Sequence, residues 1–263
     1  MESLRAKVVF PVDVVPLIIT SFILKISIAY ASSVTHYYII MSSMQIASSI
    51  SEDDGIATLT DSDLEIYSVG ISTGGVAEIR MATMNPKRHI VATTIDVEGV
   101  EFAKQHVAEN GLDRQIEAKV EDVTKPLAYQ DASFDYVYAR LVLHYLPEQG
   151  LIDALSELHR ILKPAGKLFV VVRSTKCPDA LRGDNSFDPE TNITTFTYTE
   201  EATGKKERQQ RFFHSEESIS KYVHDAGFSI KYVKSYDEHL FVDFMRTIRS
   251  PELDNVIELL AVK

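Results

Sequence analysis

The chain has little cysteine and an excess of acid over base. Cys177 is the single cysteine, so no intrachain disulfide can form, and a zinc site of the usual cysteine–histidine kind is excluded. Lys and Arg total 27 against 38 Asp and Glu, a net charge of −11 over 263 residues. That charge is a poor match for a phosphate backbone, so we expect a small-molecule or protein partner and no nucleic acid. No metal-binding residues are predicted.

Charge is scarce at the amino terminus, where two apolar runs, 8–24 and 26–50, fill most of residues 1–50. Three interpretations stay open for this extension: a buried cover for the main domain, a membrane-associated segment, or a cleaved signal ending near Ala31. The acidic stretch 51–55 predicts the boundary of a second unit, 51–263. We expect a cytoplasmic protein, with membrane contact through residues 1–50 as an alternative.

Short apolar runs alternate with amphipathic runs from residue 60 onward, and no internal repeat or low-complexity segment interrupts them. The pattern predicts strands over 64–70, 89–93, 115–120, 134–139 and 167–173. It predicts helices over 76–84, 97–110 and 151–162. Strands that alternate with helices imply a parallel sheet, and strands that are apolar throughout imply helices on both faces.

The alternation breaks after residue 174. The runs 192–200 and 205–213 flank a loop that contains Gly204, which predicts a β-hairpin inserted at about 187–214. Ser215 is a natural cap for a helix over 216–226. Strands over 228–236 and 255–262 are expected to follow.

Chemically useful groups follow four predicted strands. Ligands of an open parallel sheet bind outside the carboxyl ends of its strands. Each group also has a plain structural explanation: a tight turn, a helix cap, a solvated loop pair or a packed half-turn. Together, at successive strand ends, they favour one ligand site. The groups are the turn 70–75, Thr94 with Asp96, Glu121 with Asp122, and Ala139 with Arg140 followed by His144.

The sequence resembles the class I S-adenosylmethionine-dependent methyltransferases over residues 63–263. The runs DASFDYVYARLVLHYLP, ELHRILKPAGKLFVVVR and RFFHSEESISKYVHDAGF carry the resemblance. It implies a doubly wound, mostly parallel seven-stranded α/β sheet whose last strand lies antiparallel between the fifth and sixth. It also implies S-adenosylmethionine as the cofactor.

The resemblance further implies roles for the groups at the strand ends. Asp122, with Glu121 beside it, would hold the adenine amino group. Thr94 stands where an acid that binds the ribose is expected, and Asp96 lies two residues further on the same face of an extended chain. The glycine-loop residues Gly70, Ser72 and Gly74 would face the methionine part and the ribose of the cofactor. Ala139 and Arg140 would lie near its amino-acid part and sulfonium.

Three departures from the family pattern concern the same ligand. Ser72 replaces the middle glycine of the loop, Ser68 replaces the acid before it, and Thr94 replaces the ribose-binding acid. If Asp96 does not substitute for that acid, a charged hydrogen bond worth roughly 1.5–3 kcal/mol is missing. That loss lowers affinity about tenfold to a hundredfold, which favours weakened cofactor binding.

The sequence therefore predicts methyl transfer to a small-molecule acceptor, with His144 or His214 as a base toward a hydroxyl or amine. For His144 the alternative is a packed core position. The alternative function is a non-catalytic binding or scaffold protein with the same fold. A nicotinamide-dependent oxidoreductase is disfavoured because the G-x-G-x-x-G spacing is missing.

Overall fold

The computed structural model describes residues 48–71, 75–199, 204–241 and 248–263. Within these ranges no helix is long and apolar enough to cross a membrane. The segment predicted to contact a membrane lies outside the described residues up to position 47. Ser72 and Gly74 also lie outside them.

Ten strands and five α-helices make up the described chain. The helices are α1 (Ile50–Ala57), α2 (Val76–Met84), α3 (Val97–Glu109), α4 (Glu148–Ile161) and α5 (Glu216–Asp225). The strands are β1 (Glu65–Val69), β2 (His89–Thr94), β3 (Ile116–Val120), β4 (Phe134–Arg140), β5 (Leu162–Arg173), β6 (Ser186–Asp188), β7 (Ile193–Thr199), β8 (Lys206–Arg211), β9 (Ser229–Glu238) and β10 (Asp254–Val262).

Seven strands form the main sheet, in the order β3-β2-β1-β4-β5-β10-β9. Neighbouring strands from β3 to β5 pair in parallel, whereas β10 pairs antiparallel with both β5 and β9. The doubly wound sheet, with its last strand between the fifth and sixth, is confirmed.

Helices cover both faces of this sheet because successive side chains of the central strands point to opposite sides. Ile66 and Tyr136 pack with apolar residues of α1, α2 and α3. Tyr67 and Val137 pack on the other side with residues of α4 and α5. The near-continuous apolar strands in the sequence follow from this burial on both faces.

The acidic stretch expected to mark a boundary forms helix α1 and packs against the sheet. A Cβ on Gly55 would lie 2.6 Å from Cε1 of Phe169, so only glycine lets the helix come this close. Ser51 donates its backbone N–H and its hydroxyl to the buried carboxylate of Glu238, at 3.1 and 2.5 Å. Arg80 pairs with two of the acids of this helix.

The predicted hairpin is confirmed as part of a small antiparallel sheet with the order β6-β7-β8. The exposed three-residue strand β6 was not predicted. The predicted cap of α5 is also confirmed, since the Ser215 hydroxyl accepts the backbone N–H of Ser218 at 3.1 Å.

The connection from α4 to β5 differs from the prediction. The helix begins three residues before the expected start, at Glu148, and β5 begins at Leu162 rather than after the turn at 164–166. Pro164 disfavours helical backbone at the residue before it, so the helix ends and the chain extends. Leu162 then pairs with Phe134, and a register shift follows, where Ala165 has a φ of 64°.

Candidate functional site

The carboxyl ends of β1, β2 and β3 are tied together by backbone hydrogen bonds. Gly70 N–H donates to the carbonyl of Thr93 at 2.8 Å, and Glu121 N–H donates to the carbonyl of Thr94 at 3.0 Å. The candidate groups that follow these three strands therefore lie at one edge of the sheet, as predicted.

Gly70 turns the chain at the end of β1 toward the segment that follows β4. Its φ is +78°, a region that other residues rarely adopt. A Cβ at this position would lie 2.8 Å from Cβ of Val142. The first glycine of the loop is thus required by its own backbone and by its neighbour. The ligand-facing roles of Ser72 and Gly74 stay predictions, because both residues lie outside the described part of the chain.

Asp122 has one carboxylate oxygen fixed and one available. Its Oδ1 accepts the backbone N–H of Thr124 at 3.0 Å and the hydroxyl of Thr124 at 2.7 Å. These hydrogen bonds lower the pKa of Asp122, so the carboxyl group is ionised at neutral pH. No hydrogen bond reaches Oδ2 from the residues that the structure describes. A positioned, ionised and half-buried carboxylate of this kind suits an amino group of a ligand.

Glu121 is engaged within the protein instead. Its Oε2 accepts hydrogen bonds from the hydroxyls of Tyr67, at 2.8 Å, and Tyr129, at 3.1 Å. Burial raises the pKa of Tyr67, which keeps its hydroxyl protonated and a donor. Of the predicted acidic pair, Asp122 is therefore the candidate ligand-binding group, and Glu121 holds two aromatic rings in place.

Asp96 caps helix α3, which is the structural role that the sequence left open beside ribose binding. Its Oδ1 accepts the backbone N–H of Glu98 at 3.1 Å, and its own N–H donates to Oγ1 of Thr94 at 3.2 Å. The carboxylate is exposed and turned toward the helix terminus. Binding of a ribose by Thr94 or Asp96 stays a prediction.

Apolar side chains stand exposed beside these acids. Ile95, Val97 and Val120 are 74%, 63% and 50% exposed, and Val120 pairs in register with Thr94. Apolar surface next to a hydrogen-bonding carboxylate suits the faces and the amino edge of an aromatic base. Sequence reasoning missed this feature because an apolar residue at a strand end normally predicts burial.

Arg140 anchors helix α1 at the same edge. Its Nε donates to the hydroxyl of Ser51 at 2.7 Å, and its Nη2 donates to the hydroxyl of Ser49 at 2.5 Å. The buried carboxylate of Glu238 lies 3.8 Å from Nη2. Ala139 is fully buried. The predicted place of Ala139 and Arg140 near a sulfonium stays a prediction.

A buried carboxylate that the sequence analysis missed lies next to the end of β1. Glu78, in the first turn of α2, is 3% exposed, and its Oε1 accepts the hydroxyl of Ser68 at 2.5 Å. Ser68 replaces the acid of the family pattern, so here a neighbouring helix supplies a carboxylate to that place. An acid four residues after Gly74 was the signal that could have indicated it.

The two candidate bases, His144 and His214, lie close together in the fold. The backbone N–H of Phe212 donates to the carbonyl of His144 at 2.7 Å, and the His214 ring is 4.1 Å from the Phe212 ring. Both imidazoles are fully buried. Among the described residues neither ring nitrogen of His144 has a hydrogen-bond partner. Nδ1 of His214 lies 3.3 Å from the hydroxyl of Ser218, and its Nε2 has no partner within the same ranges.

Burial keeps both imidazoles neutral at physiological pH. It lowers the pKa of His144 well below its usual range, and the charges of Arg173 and Arg211 and the nearby His214 lower it further. Burial alone lowers the pKa of His214 to about 3. A neutral imidazole with free ring nitrogens can accept a proton or a hydrogen bond, so the pair is chemically suited to a polar ligand.

Residues 67–170 match the family model described as a methyltransferase domain. A ubiquinone biosynthesis O-methyltransferase from Xylella fastidiosa (strain 9a5c) is 29% identical over 110 residues, 41% of this chain and 42% of that protein. A 27-O-demethylrifamycin SV methyltransferase from Amycolatopsis mediterranei (strain S699) is 31% identical over 103 residues, 39% and 36% of the two chains. The chain therefore spans less than half the length of these curated relatives.

A solved S-adenosylmethionine-dependent methyltransferase from Methanosarcina mazei shares the fold. It superposes with a TM-score of 0.63 at 21% identity, over 79% of this chain and 95% of that chain. At this identity the likeness shows the fold alone. The fold and the methyltransferase-domain match agree with the cofactor that the sequence resemblance implies, S-adenosylmethionine.

Proposed function

We propose that this chain, which has the fold of the class I S-adenosylmethionine-dependent methyltransferases, transfers a methyl group from that cofactor to a hydroxyl group of a small molecule. One observation carries the proposal: an ionised carboxylate with an available oxygen, Asp122, stands beside exposed apolar side chains at the carboxyl edge of the sheet. Two relatives whose names describe methylation of small molecules support the choice of acceptor.

Different residues of this chain would bind the cofactor and accept the proton. Asp122 would accept a hydrogen bond from the adenine amino group, and Ile95 and Val120 would contact the faces of the ring. When bound, the cofactor supplies an activated methyl group, so the protein has only to orient the acceptor and take its proton.

We assign the proton-accepting role to His144. It lies four residues after the end of β4 and two residues after Val142, which packs on the glycine turn. Among the described residues neither ring nitrogen has a hydrogen-bond partner, and the imidazole is neutral, so its unprotonated nitrogen can accept a hydrogen bond from the hydroxyl group of the acceptor. His214 has its Nδ1 beside the hydroxyl of Ser218 and one free nitrogen, which suits it to hold the acceptor or to orient His144.

The test is conversion of S-adenosylmethionine to S-adenosylhomocysteine by the full-length chain, with a panel of catechols and hydroquinones as acceptors. We expect Asp122→Asn to raise KM for the cofactor and His144→Gln to lower kcat. His159→Gln is the matched control, because that histidine lies on α4 with its ring packed against Phe228. Bound cofactor with no turnover of any acceptor would contradict the proposal.

A non-catalytic binding protein is the second candidate, and one observation favours it. Thr94 occupies the place of the ribose-binding acid, and Asp96 is committed to capping α3. Restoring the family residues with Ser72→Gly and Thr94→Asp distinguishes the two. A non-catalytic protein gains about tenfold or more in cofactor affinity from a charged hydrogen bond, whereas a working enzyme gains little.

A further inference from the structure

Arg211, the last residue of β8, is a buried guanidinium close to the two histidines. It is 7% exposed, and its Cζ lies 4.1 Å from the centre of the Tyr145 ring. Tyr145 immediately follows His144, and its ring lies 4.6 Å from the imidazole. Burial of a charged side chain is costly unless a partner of opposite charge is present.

The acids nearest to Arg211 are held by other arginines. Arg173 pairs with Asp254 and lies 3.5 Å from Asp179, and Arg182 donates to Asp179 at 2.8 Å. Across the described ranges, no carboxylate forms an ion pair with Arg211. Its positive charge is therefore buried without an ion pair, and Asp179, which acts on it from a longer distance, is already bound by other arginines.

The guanidinium also has hydrogen-bonding capacity left. Of its five N–H groups, one on Nη1 donates to the carbonyl of Gln210 at 2.9 Å and one on Nη2 donates to Oε1 of Gln209 at 2.7 Å. Three N–H groups remain, among them the one on Nε, which is buried and has no partner. A fork made of Nε–H and an Nη–H is the arrangement that binds a carboxylate or phosphate through two parallel hydrogen bonds.

Several unpartnered polar atoms thus occur in one buried region: both nitrogens of His144, Nε2 of His214 and Nε of Arg211. Buried polar groups in folded proteins are nearly always hydrogen-bonded, so a cluster of exceptions is a place where a bound group or ordered water would supply the missing hydrogen bonds. Stacking on Tyr145 and Phe196 holds the plane of the guanidinium but leaves these N–H groups unused.

We propose that Arg211 binds an oxyanion of the methyl acceptor, a carboxylate or a phosphate, with His144 and His214 in the same buried cluster. This inference rests on the proposed function, because it places the acceptor beside the base. The substrate class is then a small molecule that carries a negative charge close to the hydroxyl to be methylated. Tyr145, half exposed, supplies an aromatic wall for the uncharged part.

The test compares probes that differ in charge but hardly in shape. Benzoate, phenyl phosphate and the neutral benzamide are titrated into the full-length chain in the presence of S-adenosylhomocysteine, with ligand-observed NMR as the readout. We expect one of the two anions to bind about tenfold or more tightly than benzamide, from a charge-assisted pair of hydrogen bonds. Tighter binding of benzoate would indicate that the acceptor carries a carboxylate, and tighter binding of phenyl phosphate would indicate a phosphate.

Variants assign the preference to one side chain. Arg211→Met is expected to abolish the preference for the anion, and Arg211→Lys, which keeps the charge but lacks the fork, is expected to reduce it. Arg208→Met removes the same charge from an exposed position of the same strand and is expected to change nothing. Arg211→Lys also serves as the folded variant if Arg211→Met does not fold.

Equal affinity for anions and benzamide, or a preference that survives in both Arg211 variants, would overturn the assignment. Titration of S-adenosylhomocysteine alone is run on every variant. If the unaltered chain does not bind S-adenosylhomocysteine, the proposed function is refuted. If it binds S-adenosylhomocysteine but does not prefer an anion to benzamide, only the role of Arg211 is refuted.

Discussion

Replacing His144 by phenylalanine should make the protein more stable and less active. An unsatisfied buried polar group costs roughly 1–3 kcal/mol, and both ring nitrogens of His144 are unsatisfied in a fully buried position. Phenylalanine keeps the aromatic contact with Tyr145 and removes the two polar atoms. Phenylalanine is larger than histidine, and the cost of packing the larger ring offsets part of the gain from removing the unsatisfied nitrogens. We therefore expect the free energy of unfolding to rise by about 1 kcal/mol. For a domain of this size that corresponds to about 2–4 °C in Tm.

The assay is urea unfolding of His144→Phe, together with methyl transfer or anion binding. His144→Asn is the paired variant: it stays polar and leaves space, so it should destabilise the fold. His224→Phe, at an exposed position of α5, should stay within about 0.5 kcal/mol of the unaltered chain. A loss of more than about 1 kcal/mol in His144→Phe would show that the imidazole is a satisfied core group, and the functional assignment would fail.

Three further predictions concern pH, the glycine turn and the anchor of α1. The pKa of His214 is about 3 when folded, and about 6.5 is usual when unfolded. The unfolded chain therefore binds protons first, and the free energy of unfolding falls as pH drops below about 6.5, by roughly 1 kcal/mol per pH unit for His214. Burial also lowers the pKa of His144, so this residue acts in the same direction. Urea unfolding at pH 5 and 7 should show a smaller difference in His144→Phe, and an unchanged difference would refute this prediction. Gly70→Ala should lower the free energy of unfolding by about 1–2 kcal/mol because of its positive φ, and further because of the contact with Val142. An unchanged free energy of unfolding in urea would contradict the turn geometry. Arg140→Met should cost about 1.5–3 kcal/mol and expose residues 48–57 to proteolysis, and unaltered cleavage there would show that the arginine does not anchor the helix.

The order and type of the core strands could be predicted because local chemistry determines them. The run 64–70 is apolar and ends at a glycine whose φ is positive in the structure, and α2 has the predicted bounds, since Asn85-Pro86 ends it. Ser215 caps α5 as its residue type indicates. Each of these features is set within a few residues of chain.

The features that could not be predicted depend on contacts between distant segments. Arg140 binds serines about 90 positions earlier in the chain, and no local pattern indicates such a pair. The unpaired state of Arg211 depends on which acids the neighbouring arginines have already bound. For Asp96 the sequence left two roles open, and only the hydrogen bond to Glu98 showed that it caps a helix.

Binding of S-adenosylmethionine to the full-length chain, measured by calorimetry, tests the central claim most directly. The account predicts micromolar affinity that falls about tenfold to a hundredfold in Asp122→Asn. This variant retains the Oδ1 that holds Thr124, so its fold should be unchanged. Absence of binding by the folded, unaltered chain, or equal binding by both proteins, would contradict the assignment of this edge of the sheet as the cofactor site.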